Sequence, residues 1–442
     1  MRKQDTIAAI ATAQGEGGIA IVRISGPGAL PALGAVFTRK NGPSAWQPNR
    51  LVYGHIVEEN RVVDEAMAVY MAAPHSYTRE DVCEIHVHGG RFAAEKTLQM
   101  VLRQGVRTAE PGEFTLRAFL NGRIDLSQAE AVMAMIASSG EGAARAAARQ
   151  MEGALGRFVE DVSGSLTGML ALIEAGVDFP EEVDEFATRE ALLEGVGRML
   201  PYLREAVDER AARIVREGLT VAIAGAPNAG KSSLMNALLK TDRSIVTSVP
   251  GTTRDVLSEK LRVGGLDITL LDTAGLRETS DEIEREGVER AKRAIDSADV
   301  VLMVVDASAP EGEAERELFG RADGRTLVAL NKCDLGVTGA RPGIRVSAKT
   351  GEGVDALLEE LKKRAGAPDA SEERLTQPRH IDCAKRAMEA LERALSGLSE
   401  EMPLDLISVD LMEALSALGE ITGRSASDDV IDAVFKNFCV GK

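Results

Sequence analysis

Long apolar runs are missing from this 442-residue chain. The longest strongly apolar stretch, Val300 to Val305, falls far short of the roughly 20 residues a membrane-spanning helix needs. The N-terminus, MRKQDTIAAIATAQGEGG, lacks a secretory apolar core and turns early to glycine, so a cytoplasmic protein with no membrane partner is expected. Cysteine is scarce: Cys83, Cys333, Cys383 and Cys439 form no CxxC pair, which argues for reduced thiols and against a disulfide framework or a zinc knuckle. Five histidines leave little material for a His-rich metal site. There is no internal repeat and no long low-complexity tract. Hydrophobic residues make up 44% and charged residues 27%, an ordinary globular balance that excludes disorder throughout. Positive charge is in deficit, at a net −17, and unevenly so. Residues 1–118 carry 13 Lys/Arg against 12 Asp/Glu, which leaves −18 on the remainder. Such a surface repels nucleic acid, so any RNA contact needs a local basic patch or a partner protein.

At roughly 100–200 residues per domain, the length suggests two to four domains. Residues 1 to about 118 read as mixed α/β. Strands are expected within Gly17–Gly26, Leu51–Val57, Glu65–Pro74 and Val82–Gly90, each a short apolar or alternating run. From about 119 to 215 the texture is helical, broken by the acidic stretch Val177 to Glu185. That stretch reads as a solvated helix–helix connection, or as a metal or partner site. Strand–loop–helix alternation occupies residues 216–368, and helix returns over 369–442. There, Leu404, Ile407, Leu411, Leu415, Leu418 and Ile421 form one apolar stripe. Ser427-Asp428-Asp429 reads as the N-cap of a last helix. The fold class expected is multidomain α/β plus all-α. One arrangement packs the two helical segments together around an inserted α/β unit.

GLTVAIAGAPNAGKSS, Gly218 to Ser233, is the strongest signal. A buried strand runs into Gly225-x-x-x-x-Gly230-Lys231-Ser232, whose backbone N–H groups can curl around phosphate. Lys231 then reaches the β/γ-phosphates, and Ser232 offers a hydroxyl to Mg²⁺. In LLDTAG, Asp272 suits the Mg²⁺ water shell and the Gly275 amide suits the γ-phosphate. In VALNKCD, the Asp334 carboxylate can accept from guanine N1–H and from the 2-amino group, a pairing adenine does not offer. Ser347-Ala348-Lys349 suits guanine O6, and Thr252 or Thr253 suits a switch threonine on Mg²⁺. Together these spell a GTP-binding P-loop unit. Leu276 stands where Ras-like proteins carry the water-orienting glutamine. Arg277, Glu278 and Glu284 follow as candidates for that task.

Taken with these elements, DTIAAIAT…GGIAIVRISG, EIHVHGG, RTAEPGEFTLRAFLNGRIDLSQAEAV and the terminal FCVGK resemble the tRNA uridine 5-carboxymethylaminomethyl modification GTPases, the MnmE (TrmE) family, over essentially the whole length. The resemblance implies an N-terminal α/β domain (1–118) that dimerises and binds 5,10-methylene-tetrahydrofolate or its 5-formyl analogue. It implies a helical domain formed by 119–215 and 369–442, with an inserted Ras-like G domain at 216–368 that dimerises across its nucleotide faces. GTP contacts carry over to Asn228, Ala229, Gly230, Lys231, Ser232 and Ser233 of the P-loop. In switch I they carry over to Thr247, Ser248, Val249, Pro250, Gly251, Thr252 and Thr253. Beyond it they include Asp272, Thr273, Ala274 and Gly275, then Asn331, Lys332 and Asp334, then Ser347, Ala348 and Lys349. Mg²⁺ falls to Ser232 and Thr253. K⁺ replaces an arginine finger at Asn228, Thr247, Val249 and Thr252, and water positioning falls to Glu284.

Folate contacts carry over to Arg23, Glu84, Arg123 and Lys442, with Arg123 standing where some members have Lys. Cys439 becomes a functional position whose part is catalytic, redox or packing near the folate. His86 and His88 share a strand face, which suits structural or folate-pocket roles better than a metal pair. The implied activity is GTP hydrolysis that, with the FAD-dependent partner MnmG, adds an aminomethyl or carboxymethylaminomethyl group at C5 of the wobble uridine of certain tRNAs. Two alternatives remain open: a GTP-dependent ribosome-assembly factor, and a folate-binding regulatory GTPase without an RNA substrate.

Overall fold

A computed structural model describes residues 5–13, 15–40, 45–138, 140–179, 181–182, 184–241, 258–263, 265–272, 293–310, 312, 316, 319–320, 322–339, 341–365, 375–436 and 438–441. The chain begins with β1 (Ile7–Ile10), β2 (Ile19–Ser25), α1 (Ala29–Val36), β3 (Phe37–Arg39), β4 (Val52–Glu58), β5 (Arg61–Met71), β6 (Val82–His88), α2 (Arg91–Leu102) and β7 (Arg107–Thr108). Helices follow: α3 (Glu113–Leu120), α4 (Leu126–Ala137), α5 (Glu141–Met151), α6 (Ala154–Asp178), α7 (Glu185–Ala206) and α8 (Glu209–Glu217). Next come β8 (Leu219–Ala224), α9 (Lys231–Thr241), β9 (Ser258–Val263), β10 (Leu266–Asp272), β11 (Val300–Asp306), β12 (Thr326–Asn331), β13 (Ile344–Arg345) and α10 (Val354–Arg364). The chain ends in α11 (Pro378–Ser399), α12 (Leu404–Thr422) and α13 (Asp428–Lys436).

Contacts divide the chain into two compact units. One comprises residues 1–133, 149–196 and 389–442, and the other residues 134–148 and 197–388. Among the described residues, no helix is long and apolar enough to cross a membrane.

In the first unit, seven strands form a sheet in the order β3-β4-β5-β6-β2-β1-β7. Alternation decides which face is buried. Ala20, Val22 and Ile24 of β2 and Cys83, Ile85 and Val87 of β6 point to one side, where Leu33 of α1 and Val101 of α2 cover them. The opposite side carries Arg23, Glu84 and His86, brought together because Arg23 pairs with Glu84 across β2 and β6. α1, α2 and β1 were not among the expected elements, although Gly26-Pro27-Gly28 precedes α1 and Gly89-Gly90 precedes α2.

The PGEF-x-x-R stretch folds into α3 and its lead-in. Glu113 accepts from the Glu110 amide (2.8 Å), Arg107 (2.6 Å) and Arg117 (3.0 Å). Arg117 also reaches Asp5 (2.7 Å) and Glu80 (3.1 Å). Both Glu113 and Arg117 are buried, so each charge needs these partners. At the next start, Asp125 accepts from the Gln128 amide (2.8 Å) while Gln128 Oε1 accepts from the Asp125 amide (3.0 Å), a reciprocal cap that begins α4. α6 packs along α12. Val162, Leu166 and Ile173 are buried on α6, and Ile407, Leu411, Leu418 and Ile421 on α12. Leu404 and Leu415 of the expected stripe are only half-buried.

In the second unit, six strands run β13-β12-β11-β8-β10-β9. All neighbours are parallel except β9–β10. The run Val300–Val305 becomes β11, buried on both faces as a central parallel strand must be. Each parallel strand ends at the same edge of the sheet, and that edge collects the next set of residues.

Candidate nucleotide site and N-terminal pocket

β8 delivers the loop 225–230, and α9 starts at Lys231, so the positive end of the helix faces the loop. The Lys231 ammonium donates to the Gly225 carbonyl (2.8 Å) and the Ala226 carbonyl (2.9 Å). Asn228 is exposed and left-handed (φ 64°), a conformation asparagine tolerates. Gly230 is left-handed too (φ +92°), and a Cβ there would sit 2.3 Å from Asn331 Nδ2. Only glycine permits that approach. Ser232 and Ser233 lie exposed on the first turn of α9.

Asn331, at the end of β12, is buried and braces two loops. Its Nδ2 donates to the Ala229 carbonyl (2.9 Å) in the P-loop, and its Oδ1 accepts from the Ala348 amide (3.0 Å). Asp334, three residues on, accepts from the Ser347 hydroxyl (2.6 Å), and Ser347 Oγ accepts from the Thr350 amide (3.2 Å). Lys332 is left-handed (φ 63°), and its ammonium pairs with Asp306 at the end of β11 (2.6 Å). Burial would raise the Asp306 carboxyl, but Lys332 and Ser308 outweigh it and hold the group below its ordinary value. The loops after β8, β12 and β13 are thus cross-braced at the carboxyl edge of a parallel sheet, the usual place for a ligand in such folds. Asp272 closes β10 at that same edge.

A second constellation lies in the other unit. Arg23 Nε donates to Glu84 Oε1 (2.8 Å), and its guanidinium lies over the rings of Tyr77 (5.5 Å) and Phe114 (5.6 Å). Arg123 lies over Tyr77 as well (4.7 Å). The chain's end comes here: Arg23 Nη1 donates to the Gly441 carbonyl (3.4 Å), and the Gly112 amide to the Cys439 carbonyl (3.3 Å). Gly441 is left-handed (φ +95°), and a Cβ on it would meet the Ile10 carbonyl oxygen at 2.3 Å. His86 Nε2 is buried without a hydrogen bond, 3.5 Å from Glu84 Oε2. Two arginines, a carboxylate, an aromatic ring and an orphaned imidazole nitrogen suit a planar, polar-edged, anionic ligand.

A family model for the MnmE helical domain matches residues 126–439, and one for the GTP-binding protein TrmE N-terminus matches residues 6–123. The tRNA modification GTPase MnmE of Geobacter sulfurreducens is 43% identical over 459 residues, covering 100% of both chains. That of Lactococcus lactis subsp. lactis is 44% identical over 449 residues, covering 99% of this chain and 98% of its own. The chain belongs to the MnmE family of tRNA modification GTPases. Of the solved structures, the G domain of the T. maritima FeoB iron transporter matches 33% of this chain and 98% of its own at 28% identity, with a TM-score of 0.26.

Several residues expected from the MnmE resemblance fall outside the described residues. These are Thr247 to Thr253, Thr273 to Leu276, Arg277, Glu278, Glu284 and Lys442, as well as the side chain of Asp272. Of the rest, Asn228 to Ser233, Asn331, Lys332, Asp334, Ser347 and Ala348 meet at one sheet edge. Arg23, Glu84 and Arg123 meet about Tyr77. Cys439 is exposed, so packing of the last helix does not fall to it, and Phe435 and Phe438 fill that place. Burial pushes the Cys83 thiol up to about 12, which leaves it inert at neutral pH. His88 pairs with Asp64 (2.6 Å), a hydrogen bond that raises its pKa. Among the described residues, no cluster of three or more His, Cys, Asp or Glu could hold a metal ion. Sequence reading missed Tyr77, Phe114 and Asp306. The one signal for Tyr77 was an aromatic residue in a polar loop, and for Asp306 an acid closing an apolar strand.

Proposed function

We propose that this chain hydrolyses GTP to drive, together with the FAD-dependent protein MnmG, aminomethylation or carboxymethylaminomethylation at C5 of the wobble uridine of certain tRNAs. The observation that carries the reading is the presence, in one chain, of a cross-braced guanine-nucleotide cradle and a separate cation–aromatic pocket joined by the chain's own C-terminus. A ribosome-assembly switch needs the first and has no use for the second.

In the cradle, the loop amides and Lys231 bind phosphate, and Asp334, held by Ser347, takes the guanine edge. Ser232 and Thr253 hold Mg²⁺, and Asn228, Thr247, Val249 and Thr252 hold K⁺. Asn228 is exposed in that loop, and its side-chain oxygen is an acceptor a cation can use. Positive charge there offsets charge developing on the phosphates. Glu284 orients water. In the pocket, Glu84 accepts from the amino-pyrimidine edge of a tetrahydrofolate, while Arg23, Arg123 and Lys442 take its anionic parts. The folate supplies the one-carbon unit, and FAD enters only with the partner.

Residues 1–118, 119–215 with 369–442, and 216–368 form the folate-binding, helical and GTPase domains. Ile19, Tyr53 and Met67 are exposed on the sheet of the first unit and supply an apolar face for homodimerisation. We place the protein in the cytoplasm.

The test is reconstitution with purified MnmG, methylene-tetrahydrofolate, an amine donor, GTP and unmodified tRNA. C5-substituted uridine is expected in K⁺ and is lost when Glu284→Ala replaces the wild type. Modification without GTP turnover, or equal rates in Na⁺ and K⁺, would contradict the reading.

A further inference from the structure

One end of the helical bundle is absorbed by neither site. α6 ends and α7 begins across one turn, and α11 ends and α12 begins across another. Arg189 ties these turns together, donating to the carbonyls of Met402 (2.9 Å) and Leu398 (3.4 Å) while pairing with Glu185 (3.2 Å). On this shared end, Phe186 is 75% exposed, Val177 60% and Phe179 57%, with Leu406 and Met402 exposed beside them. The chain has only 10 phenylalanines, and two of them stand in water seven residues apart. Packing does not require it, because α7 buries Leu192 and Val196 while α12 buries Ile407 and Leu411. Large apolar side chains grouped on one exposed end mark an interaction surface.

The charges around them select the occupant. Asp178, Glu181, Glu182, Asp184 and Glu185 flank the first turn, and Glu400, Glu401 and Asp405 the second. Nucleic acid and anionic lipid surfaces are repelled by such a rim. A second copy seated on the same end would appose like charges. What fits is a protein surface that offers apolar anchors within a basic rim.

We propose that this end of the bundle docks a basic protein partner, which, resting on the function proposed above, is the FAD-dependent MnmG. Phe179 and Phe186 anchor the contact, and the acidic rim steers it.

The test is titration calorimetry of the full-length chain against purified MnmG across a salt series. Phe179→Ala/Phe186→Ala is expected to weaken binding by at least ~10-fold, because exposed aromatic anchors dominate such contacts. Glu181→Lys/Glu182→Lys should weaken it at low salt and flatten the salt dependence. Phe92→Ala, equally exposed but on α2, is expected to bind as the wild type does, and all variants should keep wild-type circular dichroism and basal GTP turnover. Wild-type binding with both double variants within 2-fold of it overturns the docking surface and leaves the proposed function standing. Absence of wild-type binding overturns both.

Discussion

Truncating Asn331 to alanine removes two hydrogen bonds at once, from the Ala229 carbonyl (2.9 Å) and from the Ala348 amide (3.0 Å). Each such bond is worth about 1 kcal/mol net, and each partner left buried and unpaired costs about 1–3 kcal/mol. The residue is 1% exposed and Ala229 2%, so water does not readily replace the lost side chain. A total of about 2–5 kcal/mol is therefore at stake. It falls on the P-loop and on the loop after β13, both of which must be ordered to hold nucleotide. If half of it is paid on binding, GTP affinity drops by roughly 5- to 70-fold. Because the bracing acts on both loops whichever nucleotide is held, GTP and GDP should weaken alike. The assay is titration with a fluorescent guanine nucleotide, beside a thermal scan. Affinity within 2-fold of wild type, with unchanged stability, would refute the bracing role.

Asp334→Ala should erase discrimination between GTP and inosine triphosphate, which lacks the 2-amino group; competition binding checks it, and retained discrimination would remove Asp334 from base reading. Glu113 is held below its ordinary carboxyl value of 4.5: burial opposes this, but Arg107, the Glu110 amide and Arg117 prevail. A lowered carboxyl stabilises above its unfolded value and loses that contribution as pH falls through its folded value. Glu113→Gln should therefore cost about 2–3 kcal/mol at neutral pH, and its stability should fall less than that of wild type below about pH 4.5, by thermal unfolding. Gly441→Ala forces a side chain into the left-handed region against the Ile10 carbonyl, a cost of about 1–2 kcal/mol. It should weaken 5-formyl-tetrahydrofolate binding by roughly 5- to 30-fold in calorimetry, and unchanged affinity would exclude the C-terminus from the pocket.

The nucleotide site was readable because its chemistry lies in short contiguous motifs, each following a strand with its own apolar signature. Leu219–Ala224 announced the buried strand that feeds the phosphate loop, and the glycines and lysine between strand and helix announced the loop itself. What could not be read was the bracing. Nothing in the sequence says that Asn331 reaches Ala229 across 102 positions, nor that Asp306 pairs with Lys332. The N-terminal pocket was less legible still. Its parts come from β2, β6, the loop at Tyr77, the turn at Arg123 and the last residues of the chain, and only the fold brings them together. PGEF-x-x-R stood out by its residue types, but its burial explains them differently: Glu113 and Arg117 neutralise each other and Arg107 inside the unit. The acidic break at Val177–Glu185 read first as a solvated connection and only second as a metal or partner site. Only the exposure of Phe179 and Phe186 separates the two readings.

The most direct test is mass spectrometry of tRNA nucleosides from a strain lacking this gene, complemented with wild type or with Glu284→Ala. C5-substituted wobble uridines should vanish on deletion and return with wild type alone. Persistence of those nucleosides in the deleted strain, with ribosomal particles accumulating instead, would contradict the assignment to tRNA modification.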